Sequence, residues 1–167
     1  MTNTPKPNDT FMRGCWYMAA AAHEIKSSQT VHRTLLQEPV LIGRDRDGAI
    51  FALKDTCPHR GTLLSRGLFD GTEVECPYHG WRFSTDGQCT AIPSQKEGQK
   101  PQAEDIHASA YSVKENDGII WVFIGCGNET GDLPSVPAVP AIGTRFQLHL
   151  HRTFQCNSDL AITGLMD

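Results

Sequence analysis

No stretch of this 167-residue sequence is long and apolar enough to cross a bilayer, since a spanning helix needs about 20 apolar residues in a row. The nearest N-terminal candidate, residues 11–22, is short and interrupted by Arg13. No basic segment leads into an apolar run with a cleavage site behind it, so no secretory signal is read. The expected compartment is the cytoplasm, with no membrane partner. Positive charge is not in excess either: 15 Lys and Arg stand against 19 Asp and Glu, a net charge of −4. A mildly acidic chain argues against nucleic acid or an anionic membrane as the main partner. Internal repeats and low-complexity tracts are missing. The length suits one ordinary domain with a real core and is short for two. In a reducing compartment the six cysteines read as ligands or buried thiols rather than disulfides.

Strand signals dominate what is present. Residues 34–44 and 49–54 are apolar-alternating runs around the turn Arg44-Asp45-Arg46-Asp47-Gly48, a hairpin pattern. Residues 110–113 and 119–124 repeat that form around Glu115-Asn116-Asp117-Gly118, and residues 83–91 turn at Asp86-Gly87. The run Ile119-Ile120-Trp121-Val122-Phe123-Ile124 is nearly all apolar, which predicts a central, buried strand. Residues 1–10 are polar with two prolines and read as a disordered lead-in. Residues 11–126 form the body. Residues 127–144, with Pro134, Pro137 and Pro140, read as a linker or extended arm. Residues 145–156 alternate again, and Asn157 is placed to cap a helix opening at Ser158. That helix has barely begun at Asp167, so residues 145–167 read as the truncated start of a further domain.

Two short segments carry the chemistry: Cys57-Pro58-His59-Arg60-Gly61 and Cys76-Pro77-Tyr78-His79-Gly80-Trp81. The pattern is Cys-x-His, sixteen residues, then Cys-x-x-His, a specific signal. Two thiolates hold one iron of a [2Fe–2S] cluster and two neutral imidazoles the other, which makes the cluster less negative and easier to reduce than an all-cysteine one. Cys57, His59, Cys76 and His79 are the expected ligands. Gly61 and Gly80 let the backbone approach the sulfides and aim N–H groups at them. Pro58 and Pro77 stiffen the loops. A structural zinc site uses the same side chains, but its usual arms are Cys-x₂₋₄-Cys and His-x₃₋₅-His, whereas here each arm mixes the two.

These boxes resemble the Rieske motif of ring-hydroxylating oxygenase large subunits and their O-demethylase relatives. Gly14-Cys15-Trp16-Tyr17-Met18-Ala19-Ala20, Glu38-Pro39-Val40-Leu41-Ile42-Gly43-Arg44, Leu63-Leu64-Ser65 and Ile120-Trp121-Val122-Phe123 extend the resemblance over residues 11–126. It implies an all-β domain of stacked antiparallel sheets with the cluster at the tip of two loops, followed by the Pro-rich arm and the start of an α+β mononuclear-iron catalytic domain. Respiratory Rieske proteins have an extra Cys in each loop, joined as a disulfide; Thr62 and Tyr78 stand there in this sequence. That implies a potential at the low end of the Rieske range, roughly −150 mV. Trp81 either shields the cluster from water or is ordinary core.

The resemblance further implies a mononuclear Fe(II) in a longer form, held by two histidines and a carboxylate. Asp167 stands where the family has an Asp linking the cluster of one subunit to the iron of its neighbour in a homotrimer. Electrons would come from a reductase or ferredoxin, and the overall reaction would be O₂-dependent hydroxylation or demethylation of an aromatic substrate. The alternative is a complete, stand-alone Rieske ferredoxin; a zinc-binding interaction module is the third reading. His149 and His151 share a strand face and read as solvated, as do His23, His32 and His107. Cys15, Cys89, Cys126 and Cys156 lack partner spacing and read as buried thiols. No acidic residue stands out as a general acid or base.

Overall fold

The computed structural model describes residues 11–96, 102–127 and 131–138, together with residues 155, 156, 160, 161 and 165. The expected lead-in, Asp167, residues 145–154 of the strand expected at 145–156 with His149 and His151, and most of the expected helix lie outside the described residues; Gln155 and Cys156, which are described, are in a bend and not a strand. Leu160, Ala161 and Leu165 are helical.

Among the described residues, ten strands form three antiparallel sheets. The first has the order β1 (Cys15–Ala21), β10 (Ile119–Ile124), β9 (Val113–Asn116). The second runs β2 (Gln29–Leu35), β3 (Glu38–Arg44), β4 (Ile50–Lys54). The third runs β5 (Leu68–Phe69), β6 (Glu73–Glu75), β7 (Arg82–Ser84), β8 (Cys89–Ala91). The second sheet is the middle layer, as its side chains reveal. Val40, Ile42 and Ala52 pack with Ala20, Ile120, Val122 and Ile124 of the first sheet. Leu41, Phe51 and Leu53, on the opposite face, pack with Val74, Phe83 and Cys89 of the third. A strand covered on both faces reads as a continuous apolar run, which is why Val40-Leu41-Ile42-Gly43 are all buried. Gly43 is required there by a close approach: a Cβ would lie 2.3 Å from the ring of Phe51, its cross-strand partner.

The expected hairpins form, with two shifts. Residues 34–44 are not one run: β2 ends at Leu35 and β3 starts at Glu38. Leu36 and Gln37 make the two-residue turn with φ of 50° and 66°, left-handed values that a Leu-Gln pair does not advertise. The strand expected at 110–113 lies at Val113–Asn116 instead, because Asp117 and Gly118 (φ 52° and 75°) alone make the turn. The 83–91 hairpin stands as expected between β7 and β8, and β10 is the central, buried strand of its sheet. No helix among the described residues is long and apolar enough to cross a membrane. Residues 131–138 carry no helix or strand, and the Pro134 carbonyl accepts the indole N–H of Trp16 at 2.7 Å.

Candidate metal centre

Two loops leave the sandwich at the same end. Loop 1, residues 57–62, follows β4, and loop 2, residues 76–81, joins β6 to β7. Their backbones are folded alike. The Cys57 N–H donates to the Thr62 carbonyl at 2.8 Å, and the Gly61 N–H returns to the Cys57 carbonyl at 2.9 Å. The Cys76 N–H donates to the Trp81 carbonyl at 2.8 Å, and the Gly80 N–H to the Cys76 carbonyl at 3.0 Å. Gly61 and Gly80 hold φ of +72° and +70°, conformations glycine adopts at no steric cost. The repeated Cys…Gly spacing therefore encodes a repeated turn.

The turns sort the side chains by depth. Cys57 and Cys76 are buried in the core that contains Leu64, Val74 and Phe83. His59 and His79 are exposed at the tip, with ring centroids 4.8 Å apart. The indole of Trp81 lies parallel to the His59 ring, 4.4 Å away with 2° between planes. Tyr78 is 4.0 Å from His79. Trp81 is partly buried against the core, so it is at once core edge and a cover for His59. A concavity of about 340 Å³ opens between the loops, lined by Thr62, Arg66, Pro77 and Tyr78.

Burial pushes the Cys57 thiol up to about 11; the amides of His59 and Arg60 act against this, and the neighbouring Cys76 thiol adds to it. Such a sulfur is ionised by a metal rather than by water. Lost solvation, then His79 and Arg60, lower the His59 imidazole below its ordinary value, favouring the neutral ring a metal needs. Among the described residues no three His, Cys, Asp or Glu side chains converge on one point. The four ligand candidates are instead grouped as two thiols and two imidazoles. That fits two irons bridged by inorganic sulfide, each taking two protein ligands, better than one zinc taking four.

The remaining sequence candidates fall elsewhere. Cys89 is buried as expected, but Cys15 is half-buried and Cys126 and Cys156 are exposed. Cys126 lies just beyond the end of β10, where the sheet no longer covers it. His23 and His107 are exposed. His32 is exposed along part of its ring, but it contacts Asp55, a fully buried carboxylate that sequence reasoning missed. Gly67 was missed too: a Cβ there would lie 1.8 Å from the Glu75 carbonyl oxygen. Its φ of −91° and ψ of −155° are extended, so only the close approach demands glycine.

Comparison with known proteins identifies the family. The Rieske [2Fe–2S] domain family matches residues 15–116. Over 164 residues, 95% of the chain, the sequence is 34% identical to the oxygenase component of dicamba O-demethylase from Stenotrophomonas maltophilia, of which it covers 46%. The crystal structure of dicamba monooxygenase with non-haem iron and dicamba aligns with a TM-score of 0.64 and 36% identity, over 80% of this chain and 38% of that one. The oxygenase in a complex of carbazole 1,9a-dioxygenase with its ferredoxin aligns with a TM-score of 0.62 and 27% identity, over 74% of this chain and 31% of that one. The chain spans less than half the length of each of these relatives. Three stacked antiparallel sheets, two matched loops presenting paired thiols and paired imidazoles, and a family match over most of the body make this chain a member of the Rieske [2Fe–2S] domain family, homologous to the oxygenase components of ring-hydroxylating and O-demethylating systems.

Proposed function

We propose that Cys57 and Cys76 hold one iron of a [2Fe–2S] cluster and His59 and His79 the other, and that the chain is the electron-transfer portion of an aromatic-ring-hydroxylating or O-demethylating oxygenase. The observation that carries the assignment is the two-and-two grouping of ligands on matched loops, thiols inward and imidazoles outward. When bound, the cluster takes up and gives up one electron at a time. The protein residues do the rest. The buried cysteines keep water from one side of the centre, and the His59 and Arg60 amides, aimed at the Cys57 sulfur, stabilise its negative charge. The exposed imidazoles make the tip the short route in and out.

A reductase or ferredoxin is the proposed electron donor; the carbazole oxygenase–ferredoxin complex among the structural relatives supports this. The acceptor is a mononuclear non-haem iron of a longer form. That longer form is proposed as a cytoplasmic homotrimer in which Asp167 links the two centres. Residues 11–126 are proposed as the electron-transfer domain and 127–144 as the connection to the catalytic one.

The test is iron and acid-labile sulfide per chain on protein purified without air, with an EPR spectrum after reduction. Two irons and two sulfides with the low average g of a histidine-ligated cluster are expected. Zinc without sulfide would overturn the assignment.

A further inference from the structure

Asp55 is the one buried polar or charged residue among the described residues, with none of its surface exposed. A carboxylate is costly to bury unless its oxygens are hydrogen-bonded, and both oxygens of Asp55 have partners. Its Oδ1 accepts the Ser65 N–H at 2.7 Å. Its Oδ2 lies 2.6 Å from His32 Nδ1, on β2. Its own N–H donates to the Pro39 carbonyl at 2.9 Å, at the start of β3. One residue, through its side chain and its N–H, thus ties the middle sheet to both ends of loop 1.

The two loops are closed differently at their necks. Loop 2 is closed at its neck by a strand ladder, in which Glu75 of β6 pairs with Arg82 of β7. The Arg82 guanidinium reinforces it with an ion pair to Glu75 at 2.8 Å. Loop 1 has no such ladder. It enters from β4, which ends at Lys54, and leaves into the 3₁₀ turn Leu64–Arg66, so among the described residues no strand stands opposite to pair with. The bond from Asp55 to Ser65 spans the same kind of neck. We propose that Asp55, oriented by His32, is a positioning residue that stands in for the missing ladder and holds Cys57 and His59 in register with Cys76 and His79. Loop 1 supplies one ligand to each iron under the assignment above, so loosening its neck disturbs both irons together. The inference rests on that assignment.

The experiment uses the whole chain, loaded with its cluster, and four variants. Asp55→Ala removes both acceptors. Asp55→Asn keeps an oxygen for the Ser65 N–H and removes the charge. Val122→Ala is the stability control: Val122 is fully buried between the first and second sheets, away from the loops. His79→Cys tests the ligand assignment. The readouts are iron release to a chelator, the spread of g values in the reduced protein, the midpoint potential, and sheet content by circular dichroism. Asp55→Ala is expected to release iron about tenfold faster, the size of leaving the Ser65 N–H at the loop's neck without its acceptor, with broadened g values. Asp55→Asn should recover much of the release rate but show a raised potential, because a negative charge near the cluster is gone. Val122→Ala should lower the unfolding temperature and leave g values and potential unchanged.

Wild-type release, g values and potential in Asp55→Asn, and in Asp55→Ala where it folds, would overturn the inference. So would Val122→Ala reproducing their effects. If Asp55→Ala does not fold, Asp55→Asn decides. A wild-type spectrum in His79→Cys would instead overturn the ligand assignment, and the two failures are thereby separable.

Discussion

Replacing Gly67 with alanine asks whether the bases of the two loops are truly in contact. Gly67 follows loop 1, and Glu75 immediately precedes loop 2. An alanine Cβ would sit 1.8 Å from the Glu75 carbonyl oxygen, and reaching the 3.0 Å that real Cβ atoms respect means parting the two backbones by 1.2 Å. Both contact atoms are fixed: one is the new Cβ, the other backbone, and Pro77 Cδ at 3.1 Å blocks the adjacent space. The movement opens the β5–β6 pairing of Leu68 with Glu75 and Phe69 with Val74. It also shifts Phe69 from its ring contact with Phe51 at 5.2 Å. Overpacking costs about 1–3 kcal/mol, and one or two ladder hydrogen bonds add about 1 kcal/mol each. The expected loss is therefore about 2–5 kcal/mol. The sign is as informative as the size. At backbone angles alanine tolerates, Gly→Ala without a clash stabilises by about 0.4–1 kcal/mol. Urea unfolding of the two proteins, with iron and sulfide content measured in parallel, decides the matter. A variant as stable as wild type, or more so, would refute the close approach and the abutment of the two loops built on it.

Other outcomes follow from the same geometry. His59→Cys or His79→Cys adds a negative thiolate, so the midpoint potential should fall toward the roughly −400 mV of all-cysteine clusters; voltammetry that finds no fall would remove that residue from the ligand set. Trp81→Leu loses the parallel stack on His59 and admits water, so the cluster should bleach faster in air, with Trp81→Phe recovering part of the loss. Equal bleaching rates in all three proteins would leave Trp81 as plain core. Acid sensitivity should trace in part to Glu38. Burial raises its carboxyl, but the bonds from Arg13 and Tyr111 outweigh that and hold it below the usual range. A group lowered on folding contributes stability above its unfolded value, about 4.5, and loses it as pH falls through the lower folded value. Glu38→Gln should therefore flatten the acid limb of a stability–pH curve while lowering the plateau at neutral pH; an unchanged limb would contradict the pairing.

Much of the fold can be read locally. The Asp86-Gly87 turn and the apolar run of β10 announce themselves because glycine frees φ and a strand covered on both faces needs no polar residues. The Leu36-Gln37 turn does not, since neither residue favours the left-handed conformation that both adopt; the register of β2 on β3 imposes it. The shift of β9 is instead a matter of turn length. Asp117-Gly118 suffices for a two-residue turn, so the strand runs three residues further than composition suggests. Cys126 reads as a buried thiol from its type and is exposed, because burial depends on what stands opposite and not on the residue itself.

By itself the sequence determined which side chains are proposed as ligands and how they are spaced. Ligand identity is a property of side chains, and the spacing of Cys57, His59, Cys76 and His79 within two short loops is set by bonds along the chain. The repeated glycine after each box fixes the repeated turn for the same local reason. Only the tertiary structure decided how those loops are held together. Asp55 gains its role from Ser65, His32 and Pro39, Gly67 from the Glu75 carbonyl, and Trp81 from lying flat on an imidazole of the other loop. Each is a through-space contact between segments brought together by folding. A lone acidic residue, a lone glycine and a lone tryptophan carry no mark in the chain of what they will meet.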